Sequence, residues 1–434
     1  MPRKSPQRLK EKYPMQTVEQ EQLAIEGGPR TVNYKFPTNS DISGRMFGDE
    51  EIAELTDVIR SGNLNVLGGP KVTQFEEEWK KTFGVKHAVT STSGTAALHV
   101  GVLAVGPNPG DEIIVAPITD IGSIIAILYQ LAVPVFADVD PISGIITAET
   151  IEPCITERTV AIMVVHLQGN AAVMDPIVEL ARKHNLLVIE DCSQAHMAAY
   201  NGRYAGTIGD IGCYSFQQSK HMTTGDGGMT VTNNDYLGER IMLAHNKGRG
   251  RSGRENQPPF LAPNYRMTEL QGAVALAQLR KLPTITGLRT KWGNLLSDLV
   301  EDVPGIIPPR APTPESTHVF WNWCPLAKLE ELTVSLDELS QAFAHEGVGF
   351  GAGYTRTPIY EYDVLKNRRF FGESAYPLLD PANGRDVRYY TGMCPNAEGI
   401  LKRMLVRHIN EKCTEEMIHD MAKAIRKVFT HYAK

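Results

Sequence analysis

The chain has 434 residues, of which 42% are hydrophobic and 22% charged, and its formal net charge is -6. This composition is typical of a globular protein with room for two domains, and the lack of a basic excess argues against a nucleic-acid-binding surface. Six widely spaced cysteines without a C-x-x-C pair argue against a disulfide framework or a cysteine zinc site and indicate reduced intracellular thiols.

The chain begins with a polar stretch, residues 1–36, which we predict to form an N-terminal arm. Its first ten residues are basic but lack the apolar core of a secretory signal, so we expect a cytoplasmic protein. Helical spacing of apolar residues follows at 50–61 and 72–83, with a loop at 63–70 between the two helices.

Short apolar runs then alternate with helical segments as far as residue 232. This alternation predicts an α/β fold in which a seven-stranded, mostly parallel sheet is covered by helices on both faces. The apolar stretch 121–137 is interrupted by Gln130 and Pro134. It falls short of the about 20 apolar residues that a membrane span needs, so we predict a helix and a strand there and no membrane contact. The predicted strands are 87–91, 112–116, 134–138, 161–166, 186–190, 211–216 and 229–232.

In the last part of the chain we predict helices first, and then, after a linker, a domain that contains both a strand and helices. A helix at 267–282 is expected to continue after Pro283 as a second helix near 284–302. The proline-rich stretch 304–314 predicts a linker into a smaller domain with a strand at 319–326 and helices at 335–346 and 414–432. We therefore predict an arm (1–36), a large domain (37–303) and a small C-terminal domain (304–434).

Lys220 is the leading candidate for a catalytic residue. It follows the apolar run 211–216 and precedes a glycine-rich turn, a placement that brings an amine to the mouth of a sheet. Burial disfavours the charged form of a lysine, and the neutral amine is a nucleophile toward aldehydes. Since most lysines are solvated surface charges, the position alone does not establish the role.

The surroundings of Lys220 supply what pyridoxal phosphate (PLP) requires, namely a lysine, an acid for the ring nitrogen and a phosphate cradle. The acid candidate is Asp191, which ends the buried run 186–190 and should face the ligand crevice of an α/β sheet. A helix N-cap is the equally supported alternative for Asp191. Glu190 should point to the opposite side of the strand and is expected to be structural.

The candidate phosphate cradle is the segment 92–98. Its polar start opens an alanine-rich helix after strand 87–91, and free N–H groups at a helix start favour a phosphate dianion. Gly94 allows close approach of the backbone, and the hydroxyls of Thr95 and Ser215 could add donors. Ordinary helix capping would explain the segment if it stood alone.

Five short motifs in this order resemble the DegT/DnrJ/StrS family of PLP-dependent aminotransferases, and the resemblance covers roughly residues 40 to 430. The family has the type I fold of aspartate aminotransferase and acts mostly on keto sugars and keto cyclitols. The motifs are SGTAA (93–97), IEDCSQA (189–195), SFQQSK (215–220), TTGDGG (223–228) and NYRMTELQ (264–271).

The resemblance implies a role for single residues. Lys220 would bond to the PLP aldehyde, Asp191 would pair with the pyridine nitrogen, and Gln194 would donate to the ring hydroxyl. Asn264 matches a residue that reaches the phosphate from the neighbouring subunit, which implies a homodimer with shared active sites. Phosphate ligands are matched by Gly94, Thr95 and Ser215.

The chain departs from the family pattern at Asp120, where an aromatic residue commonly stacks on the cofactor ring. We keep Asp120 among the cofactor-binding candidates and expect it to hydrogen-bond a neighbouring histidine or a polar substrate. His166 and His196 follow predicted strands and could line the site, although a core or capping role is equally supported.

A second glycine motif, G-x-G-x-x-G at 248–253, lacks the preceding strand and following helix that a dinucleotide site needs. The same loop carries Lys247, Arg249, Arg251 and Arg254, which could form an anion-binding rim or be a solvated loop, and we slightly favour the loop. The histidine spacing contains no H-x-x-x-H or H-E-x-x-H pair, so no metal site is predicted.

The expected function is transamination in two stages, from glutamate or glutamine to a keto sugar or keto cyclitol with or without a nucleotide. The alternatives are a sugar dehydratase of the same fold and a non-catalytic PLP-binding regulatory protein. Dehydratase relatives carry histidine in place of the lysine, so Lys220 favours the aminotransferase. Candidate substrate walls are Asn65, Gly68, loop 247–254 and segment 354–360.

Overall fold

The computed structural model describes residues 21–251 and 257–434. A large sheet lies at its centre, and the limits of its strands agree with the predicted ones within two residues. Its strands are β1 (His87–Ser91), β2 (Glu112–Val115), β3 (Val133–Phe136), β4 (Thr159–Val165), β5 (Leu187–Asp191), β6 (Ile211–Ser215) and β7 (Gly228–Thr232).

The strand order is β1-β7-β6-β5-β4-β2-β3. The run from β6 to β3 is parallel, whereas β7 is antiparallel to both of its neighbours. This confirms the predicted α/β fold with a seven-stranded, mostly parallel sheet. Because the parallel strands end on one edge, the residues after β4, β5 and β6 are brought together there.

Helices cover the sheet and build the rest of the described chain. The helices predicted to start at residues 50, 72, 267, 335 and 414 begin within two residues of those positions. The α-helices are α1 (Asp49–Ser61), α2 (Lys71–Phe83), α3 (Gly94–Val105), α4 (Ile121–Tyr129), α5 (Ala148–Ile151), α6 (Met174–Lys183), α7 (Asp235–Ala244), α8 (Glu269–Leu299), α9 (Leu336–His345), α10 (Asp363–Lys366), α11 (Pro395–Leu401) and α12 (Glu415–Tyr432). Short 3-10 helices lie at Ala24–Glu26, Glu152–Cys154, Leu167–Gly169, Leu329–Glu331, Ile359–Glu361 and Pro381–Asn383. Two-stranded ladders pair Ala199–Tyr200 with Arg203–Tyr204, Ile306–Ile307 with Leu326–Ala327, Gly351–Ala352 with Leu405–Val406, and Leu379–Asp380 with Arg385–Asp386.

Helix α3 is buried almost all round, which explains its apolar composition. A Cβ on Gly101 would lie 3.0 Å from the Cys213 sulfur, so the helix packs tightly on β6. Thr230 on β7 donates to the carbonyl of Ala97 at 2.9 Å. These contacts fix the start of α3 at the edge of the sheet where the parallel strands end.

Helix α8 runs without a break through Pro283, so the prediction of two separate helices was wrong. Its start is fixed by a capping box in which Thr268 and Gln271 bond each other's main chain. The first half packs along α1 and α2 and the second half against α12, and this packing outweighs the hydrogen bond that proline cannot make.

A second hydrophobic core lies around the end of α8, α9 and α12. Leu23 and Val32 of the predicted arm are fully buried in it, and Phe36 packs against it. Because α8 contributes side chains to both cores, the domain limits at 303 and 304 stay a prediction.

The predicted strand at 319–326 was wrong, because only Leu326 belongs to a strand. The main-chain N–H groups of this segment donate to unrelated partners. Those of Val319, Trp321 and Trp323 bond the carbonyls of Gly169, Gln168 and Arg407, respectively. The segment thus contacts the loop after β4 and the residue after the ladder strand Leu405–Val406, rather than one neighbouring strand.

Within residues 21–251 and 257–434, no helix combines the length and the apolar character that crossing a membrane requires.

Candidate active site

Lys220 lies in the loop that follows β6, and its main chain is fixed on both sides. Its N–H donates to the carbonyl of Gln217 at 2.9 Å, and Arg45 Nη1 donates to its carbonyl at 2.8 Å. The ammonium nitrogen lies 4.1 Å from the centroid of the Trp321 indole ring. The amine is therefore held over an aromatic face.

Burial lowers the pKa of Lys220 to about 8, although the charges of Asp191 and Asp120 favour the ammonium form. A lysine in water has a pKa near 10.4. A much larger fraction of the amine is thus neutral near pH 7, and the neutral amine is the form that attacks a carbonyl carbon.

Asp191 ends β5 and is almost completely buried. Ser123 Oγ donates to its Oδ2 at 2.8 Å, and the N–H of Ser193 donates to its Oδ1 at 3.0 Å. Ser123 in turn shares a 2.8 Å hydrogen bond with the hydroxyl of Thr119. The residues after Asp191 form turns, so the alternative of a helix N-cap does not apply here.

Glu190 points to the other side of the strand, as predicted, and is buried. Its carboxylate accepts from His166 Nε2 at 2.9 Å and from the N–H groups of Gly206, Ile208 and Gly209 at 2.6–2.8 Å. Burial opposes ionisation, but these donors outweigh it and hold the pKa of Glu190 below its ordinary value. Glu190 therefore fastens a loop to the sheet.

His166, Glu190 and Cys192 bring possible metal ligands within 4.8 Å of one another. The Nδ1 of His166 accepts from the N–H of Ala172 at 3.0 Å, so Nε2 carries the proton that it donates to Glu190. Burial raises the pKa of Cys192 well above its usual range. The ligand atoms are thus engaged or protonated, and the cluster works as a structural hydrogen-bond network.

The start of α3 meets the end of β6. Ser93 caps the helix by accepting from the N–H of Ala96 at 3.0 Å. Within the described part of the chain, the N–H groups of Gly94 and Thr95 have no hydrogen-bond partner. A Cβ on Gly94 would lie 2.5 Å from the Cβ of Ser215. The glycine thus opens a polar cradle that suits a phosphate dianion.

Asp120 caps α4, with its Oδ1 accepting from the N–H of Gly122 at 2.8 Å. It is exposed, and its negative charge favours the protonated forms of both Lys220 and Tyr354. No hydrogen bond joins it to a histidine in the described residues. The structure therefore brings Asp120 to the site as a helix cap with a free carboxylate oxygen.

The Gln194 side chain is buried and bonds both the loop after β4 and Tyr354. Its Oε1 accepts from the N–H of Gln168 at 2.7 Å, and its Nε2 donates to the hydroxyl of Tyr354 at 2.9 Å. Tyr354 lies in the predicted wall segment 354–360, and burial raises the pKa of its hydroxyl. The second amide hydrogen of Gln194 remains for a further acceptor.

The two histidine candidates are core residues. His166 donates a hydrogen bond to the buried Glu190. His196 is fully buried among Trp79, Tyr214 and Phe216, and burial lowers its pKa to about 3. The structure therefore supports a core role for both histidines rather than a place in the lining of the site.

Asn264 is exposed. It forms an isolated β-bridge with Asn246, and its Oδ1 accepts from the N–H of Arg266 at 3.4 Å. Among the described residues, no hydrogen bond or ring contact links Asn264 with Lys220 or Asp191. Its predicted role toward a neighbouring subunit stays a prediction.

The predicted anion-binding rim is only partly described, because Arg254 lies outside the described residues. Arg251 forms a bidentate ion pair with the buried Glu76. This arginine therefore serves as a structural contact and is not available to an anion.

Three site residues escaped prediction because they come from distant parts of the chain. Arg45 and Trp321 contact Lys220 across about 175 and 100 positions. Ser123 offered a weak signal, since it is a polar residue in an apolar helix start. Together with the cradle, the acid and the low-pKa lysine, these residues fit the groups that PLP needs.

Known proteins resemble this chain in sequence and in structure. The sequence model of the DegT/DnrJ/EryC1/StrS aminotransferase family matches residues 46–426. A putative L-glutamine:3-amino-2,3-dideoxy-scyllo-inosose aminotransferase from Micromonospora echinospora is 31% identical over 422 residues, which cover 94% of this chain and 97% of that protein.

Further relatives are similar in sequence or structure. A GDP-perosamine synthase from Caulobacter vibrioides is 39% identical over 253 residues, 58% of this chain and 68% of that protein. The X-ray structure of the aminotransferase from Psychrobacter cryohalolentis superposes with a TM-score of 0.79 at 31% identity, covering 90% of this chain and 98% of that one.

Proposed function

The chain belongs to the DegT/DnrJ/EryC1/StrS aminotransferase family, and from this premise we propose which residues carry its reaction and which substrates it takes. It is a PLP-dependent aminotransferase that moves an amino group from glutamate or glutamine to a keto sugar or keto cyclitol in the biosynthesis of an amino sugar or aminocyclitol. The glutamine in the name of the Micromonospora relative supports glutamine as the donor.

The observation that carries the residue assignment is the buried amine of Lys220, held 4.1 Å from the Trp321 ring centroid and within reach of the charge of Asp191. Lys220 would bind PLP covalently and Asp191 would keep its ring nitrogen protonated. When bound, PLP supplies an electron sink for the negative charge that develops on the donor carbon. Gly94, Thr95 and Ser215 would hold the phosphate.

Lys220 would also carry the proton of the reaction. Its buried amine, with a pKa lowered to about 8, would serve as the base that moves this proton. A positioned base of this kind contributes about 10² to 10⁴ in rate. The indole face of Trp321, whose centroid lies 4.1 Å from Nζ, would limit where this amine can move.

Two residues beside Lys220 would orient the bound groups. Gln194 has one amide hydrogen free for the ring hydroxyl while Tyr354 takes the other. Asp120 would accept a hydrogen bond from a hydroxyl of the sugar or cyclitol, because one carboxylate oxygen caps α4 and the other is free. This assigns Asp120 to the acceptor side of the site.

We propose a homodimer in which Asn264 completes the phosphate site of the neighbouring subunit. Asn264 is exposed, and large apolar side chains are exposed at Leu64, Leu67 and Leu261. Burial against a partner removes such apolar surface from water. A dimer would thus bury apolar surface and supply Asn264 in one step.

We also propose a cytoplasmic location. The six cysteines are free thiols, and four of them are buried. Free thiols persist in a reducing compartment, whereas proteins of oxidising compartments form disulfides.

The first test is chemical. Reduction of the PLP-loaded protein with borohydride should fix the cofactor on the peptide that contains Lys220, as found by mass spectrometry of a digest. Lys220→Ala should abolish turnover while the far-UV circular dichroism stays unchanged. A tag on another lysine, or turnover by Lys220→Ala near the wild-type rate, would refute the assignment.

The second test concerns the acceptor. The protein is loaded with PLP, converted with glutamine or glutamate, and freed of donor. Keto sugars, nucleotide-linked keto sugars and keto cyclitols are then added one at a time. Return of the initial PLP absorbance identifies the acceptor, and no return with any of the three classes would contradict the substrate proposal.

A further inference from the structure

Trp321 contacts the loop of Lys220 at two points, one polar and one aromatic. Its indole N–H donates to the carbonyl of Ser219 at 2.9 Å, one residue before the lysine. The centroid of the same ring lies 4.1 Å from Lys220 Nζ. One side chain thus holds both the main chain of the loop and the amine that the loop presents.

The indole is itself fixed by groups other than Lys220. The main-chain N–H of Trp321 donates to the carbonyl of Gln168 at 2.9 Å, and its carbonyl accepts from His408 Nδ1 at 3.2 Å. The ring of Tyr354 packs edge-on against the indole at 5.9 Å, and burial keeps the tyrosine hydroxyl protonated by raising its pKa. The face of the indole therefore has a set position toward the amine.

An aromatic face carries partial negative charge and attracts a cation within about 6 Å of its centroid. Tryptophan is the strongest of the three aromatic side chains in this respect, and the attraction grows when the pair is removed from water. The ring acts on the ammonium form of the amine and not on the neutral form. It therefore opposes the effect of burial, which favours the neutral amine.

Charged and titratable groups on other elements also face Lys220. Asp191 at the end of β5 and Asp120 at the start of α4 favour the ammonium form. Arg45 donates to the main-chain carbonyl of the lysine. His196 is fully buried with its pKa lowered to about 3, so it is neutral near pH 7. The indole carries no net charge, so its effect on the amine can be altered while each of these groups stays in place.

We propose that Trp321 is a positioning residue for the lysine amine, because its N–H anchors the loop and its ring face holds the ammonium group of Lys220. The contact stabilises the ammonium form and so helps to set the pH at which the amine becomes a nucleophile. The inference rests on the proposed function, in which Lys220 bonds PLP, and it names the side chain that holds this amine.

The first experiment weakens the ring face without removing the ring. Tryptophan analogues with one, two, three or four fluorine atoms on the benzene part of the indole are placed at position 321 by amber suppression. Fluorine withdraws electron density from the face, while the ring shape and the N–H are retained. The pH midpoint for trapping a small aldehyde on Lys220 of the apoprotein with cyanoborohydride should fall stepwise with each fluorine. With four fluorines we expect a fall of about 0.5 pH unit or more, equivalent to about 0.7 kcal/mol.

The matched control is the same series at Trp323. This tryptophan is buried, its N–H donates to Ser297 Oγ at 2.8 Å, and its ring packs edge-on against Phe350 at 6.1 Å. Fluorination there should leave the midpoint unchanged. A midpoint that does not move with fluorination of Trp321, or that moves equally in both series, would overturn the proposal.

The second experiment separates the ring face from the exclusion of water. Trp321→Phe keeps an aromatic face and loses the N–H, whereas Trp321→Leu loses both. If the face holds the ammonium group, the trapping midpoint falls in the order Trp, Phe, Leu. If the indole acted only by filling space, the smaller side chains would admit water and raise the midpoint instead. A rise in both variants would therefore contradict the proposal.

These measurements use apoprotein, and peptide mapping assigns the label to Lys220. They require neither turnover nor bound PLP. If borohydride marked another lysine, the proposed function would fail while the contact between Trp321 and Lys220 could still be measured. If borohydride marked Lys220 and the midpoint ignored the fluorine series, the function would stand and the role of Trp321 would fail.

Discussion

At the level of single residues, two neighbouring carboxylates have different tasks because successive side chains of a strand point to opposite sides. Glu190 faces the loop at 206–209 and collects four hydrogen bonds. Asp191 faces the crevice and collects only two, from Ser123 and Ser193. A carboxylate with several partners fixes structure, whereas one with spare lone pairs can bind a ligand.

This difference predicts opposite results for two conservative substitutions. Asp191→Asn should weaken PLP binding at least tenfold and leave the free energy of unfolding nearly unchanged. Glu190→Gln should lower the free energy of unfolding by roughly 1–3 kcal/mol, because an amide NH₂ replaces an acceptor among buried donors. PLP titration and urea denaturation of both variants provide the measurement. Equal losses of PLP affinity would contradict the argument from strand polarity.

The pKa of Lys220 leads to a pH prediction. Trapping of a small aldehyde on Lys220 of the apoprotein with cyanoborohydride should rise with pH through a midpoint near 8, well below that of an exposed lysine. Asp120→Asn should move the midpoint to lower pH, since it removes a negative charge that favours the ammonium form. Asparagine still caps a helix, so α4 should stay intact.

The control for this pH profile is Asp175→Asn. Asp175 is an exposed acid in the first turn of α6, and it pairs with Arg203 rather than with the site. It should leave the midpoint where it is. A midpoint for Asp120→Asn at or above the wild-type value would show that Asp120 does not act on Lys220. Peptide mapping assigns the trapped label to Lys220.

At the level of elements, the cradle depends on the contact between the start of α3 and the end of β6. Gly94→Ala would place a methyl group 2.5 Å from the Cβ of Ser215, and backbone-anchored atoms must move to relieve this. We expect PLP affinity to fall at least tenfold and stability to fall by about 1–3 kcal/mol. Fluorescence titration with PLP and chemical denaturation measure the two effects.

Gly287→Ala is the matched control for the cradle variant. Gly287 lies exposed in α8, and a Cβ there meets nothing within 4 Å. Alanine in place of a mid-helix glycine should stabilise the protein by roughly 0.5–1 kcal/mol and leave PLP affinity unchanged. If Gly94→Ala bound PLP as well as this control does, the start of α3 would not be the phosphate cradle.

The elements that sequence predicts well are those whose pattern is local. Strands β1 to β7 are short apolar runs bounded by turns, and their residues carry that information themselves. The segment 319–326 also looks like a strand, but its N–H groups find partners in two separate segments, at 168–169 and at 407. Pro283 signals a helix end locally, yet packing of α8 on α1, α2 and α12 carries the helix through it. In both segments, tertiary contacts outweigh the structure that the local sequence favours.

At the level of the whole molecule, the site combines segments that are far apart in sequence. Asp191 and Gln194 lie at or after the end of β5 and Lys220 after the end of β6, so local patterns and the family motifs could name them as candidates. Trp321 reaches Lys220 only because the segment after the proline-rich stretch runs back over the loop at 168–169. Long-range placement of this kind has no local signature, so sequence alone could not supply it.

The proposed sharing of Asn264 between subunits can be tested by mixing two inactive variants. A mixed dimer of Lys220→Ala and Asn264→Ala subunits contains one site with both defects. Its other site has an intact Lys220 and receives an intact Asn264 from the partner. Purified mixed dimers, made by co-expression with two affinity tags, should therefore recover about half of the wild-type activity per dimer. If Asn264 acted within its own subunit, each site would keep one defect and the mixture would stay as inactive as its parents.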